Sequence, residues 1–266
     1  MADQCTVPPG LELLRGVVRA REGWDLMSYR PNQLFRRLRM IAAKSGAEDF
    51  ASYAELLRKH PERMQDLRAL LGIKVTQFFR NPDRFEFLEK EVLPLQPRRN
   101  LRVWSAGCAN GAEAYSLAMV LEDAMPGGYS VQATDMDDEV LRVAIEGWYA
   151  VRETTLVPES RRRYLVPTGK GFSIHPSVRV AVFFRAHNLL SDPYPHGMDL
   201  VVCRNVLIYL SDEAKSRVVR AINGSLKPGG FLFMGSTESI LNPGAYGFAS
   251  CGPFFYRKQA GDACPE

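Results

Sequence analysis

The 266-residue chain contains no uninterrupted apolar run of the roughly 18 residues that a helix needs to cross a bilayer. Its opening stretch, MADQCTVPPG, carries no signal-peptide pattern, so the expectation is a soluble, cytoplasmic protein with no membrane insertion. Cysteine is sparse: Cys5, Cys108, Cys203, Cys251 and Cys264 are odd in number and scattered, which argues against both a disulfide framework and a metal-binding spacing. Histidine is limited to His60, His175, His187 and His196, dispersed along the chain, and no metal is expected. There is no internal repeat and no low-complexity tract, so no solenoid or linker array is anticipated.

What is present is enough apolar material, 46% of residues against 24% charged, for one sizeable core and a smaller domain. Charge is uneven. Residues 1–80 hold 14 Lys and Arg against 9 Asp and Glu, whereas the remainder holds 20 against 21. The basic part reads as helices without strands. LFRRLRMIAAKSG is amphipathic and places Arg36, Arg37 and Arg39 close together, and FASYAELLRKH follows an acidic pair suited to starting a helix. Such a basic cluster reads first as a solvated helix face, and nucleic acid is the partner class it could serve.

The segment LRVWSAGCANGAEAYSLAMV, residues 101–120, reads as a buried strand over 102–105, a glycine-bearing turn and an amphipathic helix. In open α/β sheets such turns sit at the carboxyl ends of strands, where ligands bind, and are expected to offer backbone amides at the helix start. The spacing is not the GxGxxG of a pyrophosphate site, and Glu113 near the helix start would oppose a phosphate but suit a cationic ligand. Its other reading is complementing the helix dipole. VQATDMDDEVLRVA then supplies a second strand ending in Asp135, an acid placed to accept from ribose hydroxyls. Asp135 or Asp137 could equally cap the following helix.

Further on, the apolar run 198–203 ends in Arg204 and Asn205, with Asp212 placed to cap a helix, and Asn188 follows the apolar AVFF. A Pro-Gly-Gly turn precedes the strand of LKPGGFLFMGSTESI. Between residues 151 and 182, the stretches 164–166, 172–174 and 178–182 read as three short antiparallel strands joined by Gly and Pro turns.

Taken together, VTQFFRNPDRF, RVWSAGCANGAEAYSLAM, ATDMD with its following GWY, NLL at 188–190, CRNVLIYL and PGGFLFMGSTES resemble the CheR-type chemotaxis protein-glutamate O-methyltransferases, in order and over most of the chain. The resemblance implies an α/β fold: a Rossmann-like S-adenosylmethionine-dependent methyltransferase domain over residues 76–266, with a small antiparallel β insertion at 152–183, preceded by an all-helical N-terminal domain over 1–75. It implies methyl transfer from S-adenosylmethionine to glutamate side chains of chemoreceptors, with S-adenosylhomocysteine as product. Position by position, it implies Thr76 and Arg80 at the cofactor site, with Arg80 near the transferred methyl. Glu113 would meet the amino-acid end of the ligand, Asp135 the ribose, and Asn188 and Leu189 the adenine, while Asn205, Val206 and Tyr209 would line the reactive end. Arg80 and Tyr209 are thus the catalytic candidates.

The implied partner is the cytoplasmic domain of a chemoreceptor docking on the basic N-terminal helices, with a receptor C-terminal peptide able to add to the β insertion by strand pairing; nucleic acid is not expected. Two positions depart from the family pattern: Lys74 stands where Asn is usual, and Ala112 where the first acid of the glycine-loop motif is usual. Local alternatives remain at this point: a helix cap for Thr76, core packing for Phe78 and Phe79, a strand-to-helix corner for Tyr209, and a surface pair with Asp83 or Glu86 for Arg80. A non-catalytic cofactor-sensing module and a methyltransferase for another substrate are the alternative functions.

Overall fold

The computed structural model describes residues 8–71, 76–97 and 99–259. The chain divides into two compact units, Met1–Ile73 with Tyr209–Ser216, and Lys74–Ile208 with Arg217–Glu266.

The first unit is built on helices α1 (Leu11–Glu22), α2 (Pro31–Lys44), α3 (Phe50–Lys59) and α4 (Met64–Leu71). Each buries one stripe at helical spacing: Leu11, Leu14, Val17 and Val18 on α1, and Leu34, Phe35, Leu38, Ile41 and Ala42 on α2. Asp49, from the acidic pair, starts α3 with a capping box. The Ser52 amide donates to Asp49 Oδ1 at 2.7 Å, and the Asp49 amide to Ser52 Oγ at 3.1 Å. The Arg36, Arg37 and Arg39 cluster is divided by the fold. Arg36 and Arg39 are exposed, but Arg37 Nη1 donates to the carbonyls of Leu70 and Leu71 at 3.2 and 2.9 Å and caps the end of α4.

The second unit opens with α5 (Pro82–Phe87) and centres on a seven-stranded sheet in the order β6-β2-β1-β7-β8-β10-β9. Its strands are β1 (Leu101–Ala106), β2 (Tyr129–Asp135), β6 (Val182–Ala186), β7 (Met198–Cys203), β8 (Leu226–Met234), β9 (Phe248–Gly252) and β10 (Phe255–Lys258). The first five pair in parallel, and β10 runs antiparallel to both β8 and β9. Every residue of β7 is buried, as a central parallel strand requires. Helices α6 (Ala112–Ala124), α7 (Asp138–Glu146) and α9 (Asp212–Ser225) follow β1, β2 and β7. The order reverses between β1 and β7, so the loops after these two strands diverge at the switch point where ligands bind in such sheets. The N-cap of α9 is Ser211, whose Oγ accepts from the Ala214 amide at 3.3 Å, rather than the expected Asp212.

The small antiparallel sheet exists, with a different membership from that read in the sequence. It runs β3-β5-β4, from β3 (Trp148–Ala150), β4 (Leu165–Thr168) and β5 (Gly171–Ile174). Residues 178–182 do not join it. Pro176 starts a one-turn helix, α8 (Pro176–Arg179), with His175 Nδ1 accepting from the Ser177 amide, and the chain then enters β6 of the main sheet. Tight punctuation by Pro and a buried Val178 overrode the strand-like alternation.

Candidate functional site

The turn after β1 is held by its own protein. The amides of Gly107 and Cys108 both donate to the Thr134 carbonyl, at 2.8 and 2.9 Å, that of Gly111 to Cys108 at 3.0 Å, and that of Ala112 to Asn110 Oδ1 at 3.2 Å. The Ala109 amide donates to Asp135 Oδ2 at 2.9 Å. The free amides expected here are therefore engaged at 107–109 and 111–112, because the turn closes on the end of β2. Gly107 has φ 79°, and a Cβ there would lie 2.4 Å from Val206 Cγ2, so glycine is what brings the turn against the loop after β7.

Asp135 ends β2 and is half-buried, accepting from Ala109 and, at 3.0 Å through Oδ1, from the Asp137 amide. The cap of α7 is Asp137, whose Oδ1 accepts from Glu139 at 2.9 Å. Asp135 is thus free of the capping role, and with the Ala109, Asp137 and Met136 amides around it the carboxylate still keeps acceptor capacity. Burial pushes its carboxyl above the usual carboxylate value, opposed by these amides. Its backbone carbonyl accepts from the His187 amide at 2.9 Å, which brings Asn188 and Leu189 to the same rim. Asn188 Oδ1 turns inward to the Leu190 amide at 2.9 Å, and the Leu189 carbonyl accepts from Tyr194 Oη at 2.7 Å. Behind them the His187 ring packs edge-on to Trp104 and Tyr194, and burial keeps the imidazole below its usual pKa.

Glu113 lies in the first turn of α6 and is buried, but not to complement the helix dipole alone. Ser105 Oγ donates to its Oε1 at 3.1 Å and Arg204 Nη1 to its Oε2 at 3.2 Å. Desolvation pushes its carboxyl up, and the Arg204 charge opposes the shift. Arg204 Nη2 also donates to the Arg80 carbonyl and to Asn81 Oδ1, each at 2.8 Å. Phe78 and Phe79 are core, at 0% and 1% exposure, and the Phe79 amide donates to Ser116 Oγ at 2.9 Å. Asp83 pairs with Arg84 and Glu86 with Lys90, and Arg80 makes an interaction of its own. Thr76 is half-buried in a loop and starts no helix; Lys74 lies outside the described residues.

The loop after β7 is ordered by a residue that sequence reasoning did not single out. Glu238, 2% exposed, accepts from the amides of Asn205 and Leu207 at 2.7 Å, Gly235 at 2.9 Å and Ile208 at 3.3 Å. It holds Asn205 at φ 61° and Val206 against Gly107. The acid four residues after the apolar run FLFM was the available signal. Tyr209 belongs to the first unit. There its carbonyl accepts from the Arg30 amide at 2.9 Å, and the Arg37 guanidinium sits 5.1 Å over its ring. The other candidates, Thr76, Arg80, Glu113, Asp135, Asn188, Leu189, Asn205 and Val206, all fall in the second unit.

An open, mainly parallel sheet with a glycine turn after its first strand, an acid with spare acceptor capacity after its second and convergent loops at the switch point defines a Rossmann-like domain for a nucleoside-bearing ligand. The family described as CheR methyltransferase, SAM binding domain, matches residues 74–252, and its all-alpha domain matches residues 9–71. The chain belongs to the CheR methyltransferase family, and its cofactor is S-adenosylmethionine. A chemotaxis protein methyltransferase of Listeria innocua is 39% identical over 247 residues, covering 91% of this chain and 94% of that one. Chemotaxis protein methyltransferase 1 of Pseudomonas aeruginosa is 34% identical over 263 residues (91% and 92%), and the Escherichia coli chemotaxis protein methyltransferase 35% over 242 (85% and 80%). The residues fit the cofactor: Asp135 keeps acceptor capacity for a ribose hydroxyl, and the paired Glu113 retains lone pairs for an ammonium group.

Proposed function

We propose that the protein transfers a methyl group from S-adenosylmethionine to glutamate side chains of chemoreceptor cytoplasmic domains, forming methyl esters and leaving S-adenosylhomocysteine. The observation that carries this reading is similarity to chemotaxis protein methyltransferases across nine-tenths of both chains, all-helical domain included.

Bound S-adenosylmethionine supplies a methyl group made electrophilic by its sulfonium. A glutamate substrate, with an ordinary pKa of about 4.3, is already an anion near neutrality, so the chain has to provide position rather than a base. Positioning alone is worth roughly 7 to 11 kcal/mol in well-oriented reactions. Asp135 holds the ribose, Asn188 and Leu189 flank the adenine, and Glu113 meets the amino-acid end. Thr76, Asn205, Val206 and Tyr209 line the reactive end. Arg80, which a sulfonium would repel, holds the substrate carboxylate with one oxygen left nucleophilic.

Residues 1–75 act as the receptor-docking domain and 76–266 as the catalytic one, working in the cytoplasm. Exposed Arg36 and Arg39 steer the acidic receptor, without Arg37, whose donors are used within the fold. The small sheet accepts a receptor C-terminal peptide by strand addition.

Labelled S-adenosylmethionine mixed with the protein and receptor cytoplasmic fragments tests the reading. Label released by mild base is an ester and supports it. Base-stable label, or none with a fragment from the same organism, replaces it with another substrate or a sensing role.

A further inference from the structure

Arg204 is a buried cation to which the proposed chemistry gives no task. Its side chain is 1% exposed, a place where arginine persists only when its charge is paired. Nη1 serves Glu113, while Nη2 serves the Arg80 carbonyl and Asn81 Oδ1. The guanidinium lies 4.7 Å from the Phe233 ring centroid and 5.7 Å from that of Phe85. Among the described residues its buried Nε has no partner, so the fork is placed for its terminal nitrogens at the expense of the inner one.

The turn it holds is strained. Phe79 at φ 49° and Asn81 at φ 61° put non-glycine residues in the left-handed region on both sides of Arg80. Such backbone persists only where the surroundings over-determine it. Here one clamp is Ser116 Oγ on the Phe79 amide, itself fixed by donating to the Ala112 carbonyl at 2.7 Å, and the other is Arg204. Ser116 and Glu113 both belong to the start of α6, the helix that follows the cofactor turn.

We infer that Arg204 is a positioning residue: its fork ties the main chain at Arg80 to Glu113, so the substrate-holding guanidinium and the cofactor turn share one rigid reference. It does not itself touch the reacting atoms. The inference rests on the reading of Arg80 as the group that holds the substrate carboxylate.

Arg204→Lys keeps a cation beside Glu113 but has no planar fork to span all three acceptors. Asn81→Gly keeps the Arg204–Glu113 pair, tolerates the left-handed backbone and removes one acceptor. Both are made alone and in an Arg80→Ala background, with single-turnover methyl transfer and calorimetric S-adenosylmethionine affinity as readouts. Arg204→Lys should slow transfer by roughly tenfold or more, and Asn81→Gly severalfold, with affinity changed by less than about threefold. In the Arg80→Ala background neither should slow it further, because both act through Arg80. Equal slowing in both backgrounds, or no slowing in either variant, overturns the inference. Arg80→Ala with the wild-type rate overturns the reading of Arg80 beneath it, and is a separate result. If thermal unfolding shows that Arg204→Lys does not fold, Asn81→Gly and its double variant decide the question.

Discussion

Asp135 and Glu238 each gather backbone amides at the carboxyl edge of the sheet, yet they are left in different states. Glu238 is 2% exposed and serves four amides across two loops. Asp135 serves the amides of Ala109 and Asp137, with that of Met136 beside them, and remains half-buried with acceptor capacity to spare. A saturated carboxylate builds a loop, whereas an unsaturated one, fixed by the same kind of bond, can hold a ligand. Residue type does not distinguish the two; the count of donors around each does.

The largest effect that would test this contrast is on stability. Glu238→Ala strands four amide donors, several of them in a dry loop, and should cost roughly 3 kcal/mol or more. Urea unfolding should show a lowered midpoint with an unchanged slope. A variant of wild-type stability would mean that Glu238 is not what orders the loop after β7.

Asp135→Ala should do the reverse. Affinity for S-adenosylmethionine and for its demethylated product should drop together by about 1.5 to 3 kcal/mol, the worth of charge-assisted bonds, with a much smaller change in unfolding. Calorimetry showing unchanged affinity in a folded variant would remove the ribose assignment.

The same carboxylate sharpens the comparison through pH. Its folded-state pKa lies above the ordinary value of about 3.9, because burial outweighs its amide bonds. A raised acid binds its proton more tightly folded than unfolded, so it opposes folding above that range, and the opposition fades as pH falls through the raised value. Accepting from hydroxyls needs the anion. Cofactor affinity should therefore fall on acidification, by on the order of tenfold per pH unit below the raised pKa, and Asp135→Asn should abolish this branch. An identical acid branch in Asp135→Asn would assign it elsewhere.

The smallest effect belongs to the neighbouring acid. Asp137→Ala removes the cap of α7 and should cost about 1 kcal/mol of stability. If cofactor affinity fell as far as in Asp135→Ala, the division of labour between the two acids would be wrong.

Much of this was legible in the sequence. The helical first region showed in its apolar stripes, and the strand, glycine turn and helix at 101–120 in their change of period, because local patterning reports which face is buried. The third strand of the small sheet was not legible. Trp148–Ala150 is three residues long, and a pairing of that length carries no periodic signal, while 178–182 alternated like a strand and was claimed by Pro176 and by β2 instead. Glu238 and Arg204 were visible as charges just past apolar strands, but not which groups they would meet.

By itself the sequence determined the order of the main elements outside the small sheet, the apolar faces and the family, since these depend on spacing along the chain and on residues that the motifs carry in order. Only the tertiary structure decided which acid caps a helix and which is left with free acceptors, that Arg37 closes α4 instead of joining a basic face, and that Arg204 ties Glu113 to the Arg80 turn. Those outcomes depend on contacts between residues tens of positions apart, where the alternative to a partner is a desolvated charge, and only the packed chain settles which partner is within reach.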